Sequence, residues 1–117
     1  MTQFPKTVQI LSMVEGLLGA VIFNCHSHDI LVNVDKGLDV SVAVKAVADS
    51  VIKHQQLVVE MGLYDFAESS VVTTDQHYHI IHLLPQFDNV AIYLIVRRYI
   101  MLPYVMEQVE DVIYSMR

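Results

Sequence analysis

The chain has no tryptophan, a single cysteine, three prolines and four glycines in 117 residues. One cysteine, Cys25, permits no internal disulfide, so the fold needs no oxidising compartment and a cytoplasmic setting is expected. The glycines, Gly16, Gly19, Gly37 and Gly62, form neither a P-loop nor a dinucleotide fingerprint. Charge is scarce too: 17% of residues carry one, against about 25% in an ordinary soluble domain. Thirteen acidic residues against seven basic ones leave a net charge of −6. That balance repels a phosphate backbone and an anionic membrane surface alike, so no nucleic-acid partner is expected. The longest apolar runs, residues 16–23 and 90–96, fall far short of the ~20 residues that cross a bilayer, and no membrane insertion is expected. The N-terminus lacks the charged start and long apolar core of a signal peptide. No repeat, low-complexity tract or linker divides the sequence, so a single domain over residues 1–117 is expected.

Apolar residues are what the chain has in excess, at 54% against about 45–50% in typical domains. A small domain with surplus apolar surface usually hides it against a partner or a copy of itself. The distribution of those residues gives the elements. Residues 5–15 carry a partial helical stripe (Val8, Ile10, Leu11, Val14), with Pro5 suited to a first helical position and Gly16 to its stop. Residues 17–24 and 89–96 are apolar on both parities, which predicts strands covered on both faces. Residues 30–34 return from the polar turn 25–29 and complete a hairpin. Asp39 is a fitting N-cap for a helix over 40–61, with Val40, Ala43, Val44, Val47, Val51 and Val58 near one face. Val42, Ala46 and Ile52 form a second, smaller strip, so this helix has two things to touch. One is its own sheet; the other is a second subunit.

Residues 68–74, 77–84 and 89–96 follow one another as β-type runs, punctuated by turn residues at 75–76 and 85–88. They predict an antiparallel meander, and the short, β-branched, weakly charged run 68–74 is expected at its edge, open to pairing with another chain. A last helix is marked by Leu102, Val105, Met106, Val109, Val112, Ile113 and Met116 at i, i+3, i+4, i+7 spacing, with Pro103 in its first turn. The fold class is therefore α+β: a five-stranded antiparallel sheet with helices on both faces, in the order α-β-β-α-β-β-β-α.

Three stretches of this order resemble the roadblock / dynein light chain family. Val14-Glu15-Gly16-Leu17-Leu18-Gly19-Ala20-Val21-Ile22 is similar to the family's entry into its first strand. Residues 68–81 resemble its third and fourth strands. Residues 89–96 with Met101-Leu102-Pro103-Tyr104-Val105 resemble the junction into its last helix. The sequence departs from the pattern in the first hairpin turn, where the family commonly has glycine, and at Met101, where it commonly has asparagine. The resemblance implies a profilin-like, non-enzymatic domain without cofactors. It implies pairing with itself or a paralogue through the third strand and second helix, and binding or scaffolding of small Ras-like GTPases. Ser69, Ser70, Val71, Val72, Thr73 and Thr74, with Val44, Val47 and Val51, are the expected dimer interface. Other readings of the same residues are a small acidic dimeric chaperone or adaptor, and a ligand-sensing module; the bulky two-faced strands argue against a roomy internal pocket in the latter.

Residues able to carry chemistry are few. His77 and His79 lie two apart on a strand and share a face; His26 and His28 cluster with Cys25 and Asp29 in a turn. Either pair could supply half of a metal site, but the sequence dictates no third ligand, so no metal site is expected. The preferred readings are a polar strand start for His77 and His79 and a solvated hairpin tip for His26 and His28. Histidines at a subunit seam can also make pairing sensitive to pH. Cys25 beside His26 is no nucleophile–base pair, since such pairs meet in space and need an orienting third group. Arg97-Arg98, the one basic pair, is a candidate grip on a partner carboxylate or phosphate, or a solvated cap.

Overall fold

A computed structural model describes residues 4–63 and 68–116. The elements are α1 (Pro5–Ser12), β1 (Leu17–Asn24), β2 (Ile30–Asp35), a 3-10 turn (Val40–Ala43) leading into α2 (Val44–Glu60), β3 (Ser69–Thr73), β4 (His77–Leu83), β5 (Val90–Arg97) and α3 (Leu102–Ser115). The strands form one antiparallel sheet in the order β2-β1-β5-β4-β3, the expected architecture and element order.

β1 and β5 lie side by side in the interior of the sheet, their apolar residues on both parities buried against both helical layers. Ile22, Ile92, Leu94 and Val96 point to the side of α1 and α3, where Leu11, Val105, Val109 and Val112 meet them. Val21, Phe23, Tyr93 and Ile95 point to the opposite side, under Val44 and Ala48 of α2. The two apolar layers make the molecule three-layered. The α1–α3 layer is pinned by a hydrogen bond between the Thr7 and Ser115 hydroxyls (2.8 Å), and by Gln86 Nε2 donating to the Ile113 carbonyl (2.7 Å) near the end of α3.

Two expected helix bounds move. α1 ends at Ser12, not residue 15: the Met13 and Val14 amides bond back to the Ile10 and Leu11 carbonyls, a tightened last turn, and the Ser12 hydroxyl donates to the Val8 carbonyl. Val14 then leaves the helical stripe to enter the core, and Gly16, at φ +78°, turns the chain into β1. Gly16 therefore shapes a turn four residues past the helix end rather than stopping the helix itself.

The second helix does not begin as an α-helix. Asp39 caps as expected, its carboxylate accepting from the Ser41 amide at 3.1 Å and the Ser41 hydroxyl at 2.6 Å, but the next four residues wind as a 3-10 turn. That turn is held down by the β1 bulge at Leu18, whose carbonyl accepts the Lys36 and Leu38 amides (3.0 and 3.2 Å). The approach is so close that a Cβ on Gly19 would overlap the Leu38 carbonyl oxygen. Of the second apolar strip, Val42 is 84% exposed and Ala46 is exposed, while Ile52 is half-buried.

Candidate interaction surface

β3 is the last strand of the sheet, and four of its five residues are exposed. Its backbone parity follows from the bonds at its two ends. The Leu83 amide donates to the Glu68 carbonyl and the Thr74 amide to the His77 carbonyl, both at 2.9 Å. Hydrogen-bonding groups alternate sides along an antiparallel strand, so residues 68, 70, 72 and 74 bond toward β4. The N–H and C=O groups of Ser69, Val71 and Thr73 therefore face outward, three donor–acceptor sets in a row. Side chains alternate as well. Val71 pairs with Ile80 and shares the α1/α3 face; Ser70 and Val72 pair with Ile81 and His79 and share the α2 face. Val71 and Val72 are 36% and 56% exposed, so the edge is apolar on both sides.

α2 divides its residues between the chain's own core and open solvent. Val44 is buried under the helix, and Val47 and Val51 are half-buried against the same cluster. Its outward apolar residues lie elsewhere: Val42 before it, Leu57 and Val59 in its last turns, and Met61 just beyond. Valine at 42 and 59 reads as one more helical apolar position in sequence, and only the backbone's rotation shows which way each points.

Beyond the core, the C-terminal half of α2 stands away from the sheet. An open groove of about 1080 Å³ separates Val51, Gln55 and Val59 from Cys25, Leu83 and Phe87. The sheet interior is filled, as the two-faced strands implied. The groove arises between a helix, a hairpin turn and the β4–β5 connection, three segments whose meeting no local pattern announces.

At the opposite end of the same face, the polar residues gather. His77 of β4 pairs across from Arg97 of β5, and His79 from Ile95. His79 Nδ1 lies 2.9 Å from the Tyr93 hydroxyl, with the two rings stacked, and His77 meets His79 edge-on. Burial, with a smaller repulsion from His77, holds the His79 pKa below its ordinary value. Burial likewise raises Tyr93. Among the described residues no group of three metal-ligating side chains converges, and the structure brings His77 and His79 together but leaves them without a third ligand.

The two arginines part company. Arg98 is engaged inside the chain: its Nη1 donates to the Thr74 carbonyl (3.0 Å), its amide to the Gln76 carbonyl, and its guanidinium sits 5.9 Å from the Tyr78 ring centre. Arg97 is exposed, and among the described residues its side chain has no hydrogen-bond or ion-pair partner. His26 and His28 stand at the β1–β2 turn. Asn24 Oδ1 accepts the His26 and Ser27 amides, and His28 takes φ +66°, so this tip is a side-chain-braced turn. Cys25 is buried, its amide bonded to the Asn89 carbonyl and its thiol pKa pushed up by that burial, the opposite of an activated nucleophile. No helix among the described residues is long and apolar enough to cross a membrane.

This arrangement, with two helices on one face, one on the other and a bare third strand, is a roadblock-type fold. The solved structures it is similar to are MglB of Myxococcus xanthus, at TM-score 0.80 and 11% identity over 97% of this chain and 94% of that one; a Roadblock/LC7 domain of Streptomyces avermitilis, at 0.79 and 12% over 93% and 89%; and an MglB described in a tetrameric arrangement, at 0.77 and 14% over 94% and 84%. At such identities the likeness is one of fold. No protein-family model and no curated protein matches the sequence.

Proposed function

We propose that the protein is a non-catalytic regulatory or scaffolding module that pairs with a second copy and presents the composite surface to a small Ras-like GTPase or a larger assembly. The observation that carries this reading is the β3 edge: three outward donor–acceptor sets flanked by exposed Val71 and Val72, with no charged side chain from Ser69 to Thr73 to discourage pairing. Ser69–Thr73, with Thr74 beside them, supply the strand contact. Val47 and Val51 supply the flank of α2, and Val44 holds that helix in place from below. The GTPase part rests on the sequence resemblance and on the shared fold.

Light scattering coupled to size exclusion tests the pairing, with a mass of two chains expected. Purified candidate GTPases loaded with GDP or a non-hydrolysable GTP analogue test the partner. Binding in one nucleotide state supports the regulator reading; equal binding in both, or none, turns the assignment toward an adaptor. The apolar groove beneath α2 favours that second reading, in which the protein holds an extended apolar segment of another protein.

A further inference from the structure

The β3 edge is symmetric in neither charge nor chemistry, and that asymmetry fixes how a second copy must sit. Glu68 stands at the start of the strand; on the α2 face it lines the same small recess as Ser70, Val51 and Ile81. At the other end, Thr74, His77 and Arg97 follow one another across β3, β4 and β5 on that same face. Glu68 and the row that ends in Arg97 stand at the two ends of one strand, with Asp75 in the turn beyond Thr74.

Parity restricts the pairing further. Only Ser69, Val71 and Thr73 offer outward backbone groups, so an antiparallel copy must bond odd residues to odd residues. Among the registers that satisfy this, one uses the whole strand: Val71 opposite Val71, Ser69 opposite Thr73. Ser70 then faces Val72, and Glu68 of each copy comes opposite Thr74 of the other. From there the His77 backbone is two strand spacings away, about 10 Å, within the combined reach of a glutamate and a histidine side chain. Arg97, whose side chain has no hydrogen-bond or ion-pair partner among the described residues, stands one strand further on, behind His77.

We infer that a second copy of this chain docks on β3 in the register centred on Val71, and that two reciprocal charge contacts, Glu68 of each copy against the Thr74–His77–Arg97 row of the other, select that register. The inference rests on the pairing proposed above. It supplies what that pairing needs, since two copies each of net charge −6 repel one another and a short uncharged edge strand can slip by two. The contacts are made only when the strands run antiparallel in this alignment, so they disfavour slipped registers and parallel pairing.

Charge swapping tests it. Glu68→Lys and the double variant His77→Glu/Arg97→Glu change side chains that are exposed or half-buried, so both are expected to keep the wild-type circular dichroism and melting behaviour as monomers. Each alone places like charges at both contacts, and its dimer dissociation constant should rise at least ~10-fold in sedimentation equilibrium. Mixed in equal amounts with different tags, the two variants form a heterodimer in which one contact is reversed and the other native. That mixed species should dissociate within about threefold of the wild type. Dimeric wild type with no preference for the mixed species overturns the register while leaving the dimer standing. Wild type that is monomeric at every concentration overturns the dimer itself.

Discussion

The His79 imidazole and the Tyr93 phenol form one unit: Nδ1 and hydroxyl are 2.9 Å apart, and the rings stack at 24°. They lie on neighbouring strands, with His77 as the other titratable group against the ring. His79 is thus held in a place that suits its neutral form, with its pKa below 6.5. The unfolded chain then takes up a proton before the folded one does. Stability should be level above pH 6.5 and fall as the pH drops through 6.5 toward the lower folded value. Urea midpoints at pH 7.5, 6.5 and 5.5 check this, and His79→Phe should flatten the decline. At the alkaline end the sign reverses for Cys25 and Tyr93: both are raised, so stability should fall as the pH climbs past 9.

Tyr93→Phe isolates the hydrogen bond. It removes a partner from a half-buried nitrogen and leaves the ring stack. A loss of about 1 kcal/mol is expected in denaturant titration at pH 7.5. No change at all would mean the bond is exchanged for water at no cost.

Gly19→Ala and Gly62→Ala separate crowding from backbone strain. A methyl at residue 19 meets the Leu38 carbonyl, which is itself tied to the Leu18 bulge, so the backbone must move. A cost of about 2–3 kcal/mol is expected, as for an overpacked core. Gly62 has φ +73° but open space around it, and alanine there should cost only about 1 kcal/mol, from the left-handed backbone. Thermal melts of the two variants should rank in that order.

Arg98→Ala and Arg97→Ala should behave differently despite their adjacency. The first frees the Thr74 carbonyl and uncovers Tyr78, so amide exchange around Thr74–Gln76 should quicken, with about 0.5–1 kcal/mol lost. The second breaks no hydrogen bond or ion pair among the described residues and should change stability by less than ~0.5 kcal/mol.

Val71→Lys tests the edge without touching the core. A lysine in the middle of β3 should abolish self-association while leaving the monomer's denaturant midpoint within error of wild type. Persistence of the dimer would move the interface to the exposed side of α2, at Val42, Leu57 and Val59.

How far this structure could be read in the sequence depended on whether one element's side chains said enough by themselves. β1 and β5 were legible because a long run of consecutive apolar residues fits a strand covered on both faces. The β3 edge was legible because a run without charge between two turns has few other uses. The end of α1 was not: Val14 continues the helical stripe by spacing and leaves it only because β1 needs a turn at Gly16. The 3-10 start at Val40 was hidden because Asp39 caps either helix type in the same way. The split between Arg97 and Arg98 depends on the Thr74 carbonyl, more than twenty residues away. The apolar groove depends on three separated segments, and no local rule could connect them.

The sheet has a second outer strand, and it is built differently. In β2, Leu31 is looped out as a bulge, and the strand is bracketed by Asp29 and Asp35. A bulge makes a poor template for another strand, and β3 has an unbroken register. In the language of polymers, a subunit that pairs through β3 alone would have a valence of one. Subunits joined through β3 as proposed would saturate at two, instead of growing the ribbon that a chain with two sticky edges would form.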